Sequence, residues 1–187
     1  MRLYTGKGDG GATDLLGARV DKDDPRIALL GDLDEATSTI GLGRARAAVE
    51  VVQTALLTAQ RDLYGVMADL AFTDDLRPVS QRFAAGRVTW LEGETDRLTD
   101  TVTLPPHFIL PGDTVAGATL DVARTVVRRA ERGAVALHRQ DGLGNEAILR
   151  YLNRLSSLLF IAARAEDAAA GVTPRPAKAA RDPDSPG

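Results

Sequence analysis

The sequence contains no cysteine, which excludes disulfide bonds, a thiolate nucleophile and a zinc site built from thiolates. It has only two histidines, His107 and His138, and neither has a second histidine or a glutamate at the spacing of a metal motif. We therefore expect no metal centre built by the protein alone.

Aromatic residues make up only 4% of the 187 residues, so the core must consist mainly of Leu, Val, Ile and Ala. No apolar run approaches the roughly 18 residues of a membrane-spanning helix, and the N-terminus lacks the apolar core of a signal peptide. A basic excess is also missing, because the formal net charge is −3. These absences predict a soluble, cytoplasmic single-domain protein that binds neither membrane nor nucleic acid.

Amphipathic helical periodicity dominates what remains. Apolar residues recur at helical spacing in five segments, and no strand candidate is longer than a few residues. The predicted helices cover 25–48, 49–71, 80–101, a segment that starts after Pro111-Gly112 with Asp113 or Thr114 as N-cap, and 145–170. With short connections between them, these segments predict an all-α fold, a five-helix up-down bundle.

The two ends of the chain differ from this bundle (25–170) in composition. Residues 1–24 are glycine-rich and predict a loop of the same domain whose amides can approach an anionic ligand, the alternative being a flexible arm. Residues 171–187 include four prolines and no apolar run, which predicts a disordered tail.

The fourth helix carries the most informative charges. Its apolar stripe comprises Leu120, Ala123, Val127, Ala130, Ala134 and Leu137. Arg124, Arg128 and Glu131 fall along one edge of that stripe, so we expect them to be half-buried. A half-buried guanidinium needs an anionic partner, either a carboxylate of the protein or a phosphate of a ligand. The alternative is a solvated charged face, to which Arg129 would belong.

Two polar residues on other helices are candidate partners. Asp34 lies at the edge of the apolar stripe of the first helix, where a carboxylate could meet a half-buried arginine. Asn153 lies beside the stripe of the last helix, where an amide usually has a specific hydrogen-bond partner.

Four segments resemble the PduO-type ATP:cob(I)alamin adenosyltransferases and follow in the same order as in that family. They are YTGKGDGGAT (4–13), KDDPR…GDLDE (22–35), FILPGDTVAGATLDVARTVVRRAER (108–132) and YLNRLSSLLFIAAR (151–164). The chain departs from the family pattern at several positions. Gly6 replaces an Arg or Lys, Asp113 replaces the second glycine of LPGG, Asp121 replaces a histidine and Ser157 replaces an aspartate.

The resemblance implies a homotrimer with active sites between adjacent subunits. It implies transfer of the 5′-deoxyadenosyl group of ATP, bound with Mg²⁺, to cob(I)alamin or a related corrinoid. In the glycine-rich loop, the positions that match ATP-contacting residues are Thr5, Gly6, Lys7, Gly8, Thr13 and Lys22. In the helices, the matching nucleotide-binding positions are Arg128, Arg129, Glu131, Arg132 and Asn153.

The resemblance also implies individual roles. Arg128 and Lys22 are the expected catalytic residues, Asp34 and Arg124 match an ion pair between subunits, and Phe108 matches an aromatic that closes the lower face of the corrin ring. A corrinoid reductase or an adenosylcobalamin-dependent enzyme is an expected partner. The alternatives are a carrier or sensor of the same fold that binds ATP or adenosylcobalamin without turnover, and a purely structural bundle.

Overall fold

The computed structural model describes residues 4–73, 75–140 and 142–178. Helices dominate this part of the chain, as predicted. In chain order the elements are β1 (Ala12–Leu15), β2 (Ala18–Asp21), α1 (Pro25–Arg46), α2 (Glu50–Ala71), a 3₁₀ turn (Val79–Gln81), α3 (Gly86–Thr99), α4 (Val115–Arg139) and α5 (Glu146–Ala169). Over these residues, no helix has the length and apolar character that crossing a membrane requires.

A small β-hairpin corrects the all-α prediction. β1 and β2 pair antiparallel, with Ala12 opposite Asp21, and Gly17 takes a positive φ of 117° in the turn. Leu16 donates its N–H to the carbonyl of Ala71 at 2.8 Å and accepts from the N–H of Thr73 at 3.1 Å. The hairpin therefore docks on the end of α2, and strands of four residues are too short to produce a recognisable alternation in the sequence.

α4 lies at the centre of the fold, packed against both α1 and α5. All six residues of its predicted apolar stripe are buried. Of the two candidate N-caps, Thr114 is the one used, because its hydroxyl accepts the N–H of Gly117 at 2.9 Å. The stripe of α4 is therefore the seam along which the two flanking helices pack.

α3 begins six residues later than its predicted start at residue 80. The N–H of Phe83 donates to the carboxylate of Asp69 at 2.7 Å, and the side chain of Asn145 donates to the same carboxylate at 2.8 Å. These bonds hold Phe83 in the core, where its ring meets that of Tyr151 edge to face at 5.0 Å. Because Phe83 is buried in a non-helical segment, α3 begins only at Gly86.

The predicted disordered tail is also corrected in its first part. The N–H of Leu110 donates to the carbonyl of Arg175 at 2.8 Å, and the N–H of Ala177 donates to the carbonyl of Phe108 at 2.7 Å. Residues 171–178 therefore belong to the folded domain. The rest of that prediction falls on 179–187, which lie outside the described residues.

Candidate active site

Arg128 lies between two surface cavities on the α4–α5 side of the bundle. One cavity, of about 320 Å³, also involves Thr95, Thr99, Leu104, Arg124, Ser156, Ser157, Phe160 and Ile161. The other, of about 400 Å³, is lined by residues of α4 alone: Arg128, Glu131, Arg132, Val135, Ala136 and Arg139. Arg124 and Glu131 are half-buried as predicted, whereas Arg128, which was also expected to be half-buried, is exposed.

The four arginines of the α4 motif divide into paired and unpaired groups. Arg124 and Arg129 bond to carboxylates of the same chain, whereas Arg128 and Arg132 form no ion pair with any residue that the structure describes. Both of these guanidiniums line the second cavity together with Arg139 and the carboxylate of Glu131, so this surface can present positive charge to an anion from outside.

Arg129 joins α4 to α1. Its guanidinium donates to Asp32 at 3.0 Å and also to Glu35. The hydrogen bond to Asp32 and the charge of Glu35 raise the pKa of Arg129. The sequence placed Arg129 on a solvated face and among the nucleotide-binding positions; in this chain it is exposed but paired.

Glu131 and Asn153 meet across the contact between α4 and α5. The amide of Asn153 donates to Oε1 of Glu131 at 2.7 Å, and its carbonyl oxygen accepts from Arg154 at 2.6 Å. The expected hydrogen-bond partner of Asn153 is therefore Glu131. This bond brings two sequence-predicted site residues together one turn away from Arg128.

The N-terminal loop places Lys22 against the glycine backbone. A Cβ on Gly8 would lie 3.2 Å from Nζ of Lys22, and the N–H of Lys22 donates to the carbonyl of Gly11 at 2.8 Å. Arg19 stiffens the same loop by donating to the carbonyl of Lys7 at 2.7 Å. An ammonium group beside exposed backbone suits an anionic ligand.

The other predicted loop residues are close by. Thr5 is exposed and accepts the N–H of Lys7 at 3.4 Å, while Thr13 is half-buried in β1 opposite Val20. Gly6 adopts a positive φ of 72°, a backbone conformation that is unfavourable for residues with a side chain.

Within one chain, the N-terminal loop and the arginines of α4 form two separate halves of the candidate site. The hairpin docks on the end of α2, whereas both cavities at Arg128 are lined by residues of α3, α4, α5 and the connection before α4. No residue of 4–24 lines either of these two cavities.

Phe108 is an exposed aromatic on the connection between α3 and α4. It is 90% exposed and lines a cavity of about 600 Å³ together with His107, Pro176, Ala177 and Lys178. A largely apolar cavity with an exposed ring at its edge is a surface suited to a flat apolar ligand.

Comparison with known proteins identifies the family. The sequence profile described as cobalamin adenosyltransferase matches residues 3–166, which include every site residue that the sequence predicted. This chain belongs to the cobalamin adenosyltransferase family. A corrinoid adenosyltransferase of Bacillus subtilis is 39% identical over 176 residues, covering 92% of this chain and 90% of the relative. The corrinoid adenosyltransferase PduO of Salmonella typhimurium is 38% identical over 169 residues, covering 89% of this chain and 50% of that protein.

Solved structures of the family share the fold. A variant of the PduO-type ATP:corrinoid adenosyltransferase from Lactobacillus reuteri, complexed with cobalamin and ATP, superposes with a TM-score of 0.87 at 33% identity, covering 95% of this chain and 100% of that one. A second variant, complexed with ATP, has a TM-score of 0.85 at 32% identity and covers 94% of this chain and 100% of its own.

The family's expected ion pair between subunits concerns Asp34 and Arg124. Asp34 is exposed on α1, and within the chain the Nε of Arg124 donates to Asp121 at 3.1 Å instead. A pair between two copies is not tested by one chain, so this pairing stays a prediction.

Sequence reasoning missed a buried ion network behind Arg124. Arg164 is 2% exposed and donates to Asp121 at 2.9 Å and to Asp167 at 3.0 Å. The hydroxyl of Thr114 donates to the second oxygen of Asp167 at 2.6 Å. Opposite charges three residues apart, Asp121 with Arg124 and Arg164 with Asp167, were the available signal. Asp121, which replaces the family's usual histidine, thus links the pocket-lining Arg124 to the core.

Metal binding by this family member was expected to come from ATP rather than from protein ligands. Within the part of the chain that the structure describes, no three His, Asp or Glu side chains are grouped so that they could hold a metal ion. Mg²⁺ bound to the phosphates of ATP remains a proposal.

Proposed function

We propose that this chain transfers the 5′-deoxyadenosyl group of ATP to cob(I)alamin or a related corrinoid, which yields adenosylcobalamin and triphosphate. The observation that carries this proposal concerns Arg128 and Arg132, whose guanidiniums form no ion pair with any described residue. Both lie on an open face beside the Glu131–Asn153 hydrogen bond. These are the positions that match nucleotide-binding residues of the family, and free guanidiniums are suited to a triphosphate.

The reaction requires no nucleophile from the protein. The reduced cobalt of the substrate donates its electron pair to C5′ of ATP, the cobalt–carbon bond forms, and the C5′–O bond breaks with its electrons leaving on the triphosphate. The protein must align the two substrates and stabilise the charge that gathers on the leaving group. In this proposal Arg128 and Lys22 perform the second task, with Mg²⁺ carried by the phosphates.

The complete site lies between two copies of the chain, in a homotrimer. Within one chain, the glycine-rich loop with Lys22 docks on α2, and the cavities at Arg128 involve other elements. A neighbouring copy therefore has to contribute the loop if both halves contact one ATP. Asp34 of one copy and Arg124 of the next would hold that interface, since Arg124 bonds to Asp121 through Nε and its terminal nitrogens remain available for a second carboxylate.

Phe108 closes the lower face of the corrinoid in this proposal. Its exposed ring would keep water and the lower base of the substrate away from cobalt, which favours the reduced state. The product would pass to an adenosylcobalamin-dependent enzyme, and a corrinoid reductase would supply the reduced substrate.

A spectroscopic assay tests the proposed activity. The purified protein is incubated with ATP, Mg²⁺ and chemically reduced cobalamin, and the corrin absorption spectrum is followed over time. Conversion to the adenosylcobalamin spectrum, dependent on ATP, is the expected result. Tight ATP binding with no spectral change would instead favour the non-catalytic carrier.

A further inference from the structure

The segment that follows α5 returns to the connection that carries Phe108. Two backbone hydrogen bonds join them, from Leu110 N–H to the Arg175 carbonyl and from Ala177 N–H to the Phe108 carbonyl, at 2.8 and 2.7 Å. Between these bonds Ile109 faces Pro176 in an antiparallel bridge. Residues 175–177 therefore pair with the backbone on both sides of Ile109, and the segment 172–178 that contains them is called the C-terminal strap.

Asp113 binds this strap through a hydrogen bond and an ion pair with Arg175. Its side chain is 6% exposed, and it accepts the backbone N–H of Arg175 at 3.2 Å and pairs with Nε of Arg175 at 3.2 Å. Among the described residues, Arg175 supplies both contacts of this buried carboxylate. A carboxylate taken out of water without partners is costly, so the strap must stay in place to satisfy Asp113.

The residue type at position 113 explains why the clip belongs to this chain. The family pattern has glycine here, and glycine offers no acceptor to Arg175. In the structure this carboxylate contacts the strap, where it connects residues 62 positions apart.

The strap forms one wall of the cavity at Phe108. Pro176, Ala177 and Lys178 line that cavity together with His107 and Phe108. The carbonyl of Phe108 is itself bonded to the strap, so the backbone position of Phe108 depends on the strap remaining docked. Release of the strap would remove one wall and free the backbone that carries the ring.

We propose that Asp113 and Arg175 are positioning residues for the corrinoid substrate, because their contact clips the C-terminal strap to the Phe108 backbone and so shapes the cavity at Phe108. This inference rests on the proposed function for the identity of the ligand, an apolar face of a corrinoid. The clip itself is a property of the free protein.

Hydrogen exchange tests the clip without any substrate. In the full-length protein the amides of Leu110 and Ala177 are expected to be protected, and in Asp113→Ala they should exchange about tenfold faster, the effect of losing one hydrogen bond to a charged group. Arg175→Ala should give a smaller acceleration, since the backbone N–H of residue 175 remains, and Arg175→Lys should restore part of the protection. Asp75→Ala, which removes an exposed carboxylate elsewhere, is the matched control. Unchanged exchange in Asp113→Ala would refute the clip.

Steady-state kinetics then test the positioning role. Asp113→Ala and a chain that ends at residue 171 should raise the KM for cobalamin about tenfold or more while the KM for ATP changes less than about twofold. A chain that ends at residue 178 keeps every described contact of the strap and should behave as the full-length protein. Faster exchange with an unchanged KM for cobalamin would overturn the positioning role. A full-length protein that exchanges as expected but converts no corrinoid would instead refute the proposed function.

Discussion

Single side chains decide what the open face of α4 can bind. Arg124, Arg128, Arg129 and Arg132 look alike in the sequence, yet two of them are neutralised by carboxylates and two are not. The unpaired residues are the ones whose guanidiniums line the second cavity. We therefore expect electrostatic stabilisation of a leaving triphosphate to depend on Arg128 and Arg132 rather than on the whole motif.

Replacement of Arg128 by alanine should lower kcat/KM for ATP about 100-fold or more, the usual cost of removing one donor that stabilises transition-state charge. The kcat/KM of Arg128→Lys should lie between those of the alanine variant and the unmodified protein, because lysine keeps the charge and loses the planar guanidinium. The measurement is adenosylcobalamin formation at varied ATP. Arg150→Ala, an exposed arginine of α5 outside both cavities, serves as control. Kinetics for Arg128→Ala within twofold of the unmodified protein would exclude the residue from the site.

Asp121 is the residue whose loss should harm stability most. Asp121→Asn leaves Arg164, which is 2% exposed, with one carboxylate in place of two. Breaking a buried ion pair by removing one partner costs about 3–5 kcal/mol in free energy of unfolding. Because the asparagine amide can still accept a hydrogen bond from Arg164, we expect a loss near the lower end of this range. Urea denaturation measures it. A loss below about 0.5 kcal/mol, typical of an exposed pair, would show that the network contributes no more than a surface ion pair does.

At the scale of the elements, buried polar contacts hold the helices in register. Asp62 of α2 accepts a hydrogen bond from the phenol of Tyr151 of α5 at 2.8 Å and from two guanidinium nitrogens of Arg87 of α3, Nε and Nη2, at 2.7 and 2.8 Å. Asp69, two turns later, receives the backbone of Phe83 and the side chain of Asn145. α2 thus supplies two carboxylates that align three other segments.

Tyr151 makes this alignment sensitive to high pH. Burial, with the charge of Asp62 and the hydrogen bond to it, raises the pKa of Tyr151 well above its usual value. The phenol of the unfolded chain ionises near pH 10, so the folded state binds the proton more tightly. Stability from this group is therefore complete below about pH 10 and is lost as pH rises towards the folded pKa.

Tyr151→Phe should accordingly reduce the free energy of unfolding by about 1–3 kcal/mol at neutral pH, because Asp62 loses a donor. The part of the alkaline decline above about pH 10 that belongs to the phenol should disappear in the variant. Denaturation at a series of pH values from 7 to 11 would reveal both effects. Parallel stability curves for the two proteins over that range would contradict the assignment.

At the scale of the whole molecule, the proposal assigns the two halves of the site to different copies. The loop half contains Lys22 and the helix half contains Arg128, and no contact among the described residues of one chain joins them. Activity should therefore depend on assembly, which separates this architecture from a site enclosed within one bundle.

A complementation experiment distinguishes these arrangements. Lys22→Ala and Arg128→Ala should each be nearly inactive alone, whereas equal amounts refolded together should recover about a quarter of the unmodified activity. This fraction follows because random assembly of a ring places an intact loop against an intact helix at one interface in four. Recovery of no activity in a properly assembled mixed oligomer would place both halves in the same chain.

The proposed interface pair of Asp34 and Arg124 can be tested by measuring the mass of the oligomer. Arg124→Ala should weaken assembly, since it removes the predicted partner of Asp34 and also one donor to Asp121, and loss of a buried pair costs about 3–5 kcal/mol. Sedimentation at decreasing concentration should show dissociation earlier than for the unmodified protein. An Asp34→Ala variant should dissociate similarly while leaving the contact of Arg124 with Asp121 intact, so an unaltered oligomer in both variants would remove this pair from the interface.

The sequence by itself determined the helices and the family. The stripe of α4 and its N-cap, which the sequence narrowed to Asp113 or Thr114, are local patterns, since helical periodicity and cap chemistry involve residues only a few positions apart. The four motif segments identified the family in the same way, by residue types at short spacing.

The tertiary structure alone decided which charges are paired and where the short segments lie. The hairpin depends on bonds to the end of α2, the strap on a carboxylate 62 residues away, and the burial of Arg164 on two acids from different helices. Apart from the pair of Arg164 with Asp167, which lies within one helix, these contacts join residues far apart in the chain, and local preferences carry no record of such a partner. Among the arginines of the α4 motif, Arg129 is likewise neutralised by Asp32 and Glu35 of another helix, whereas Arg124 pairs with Asp121 three residues away.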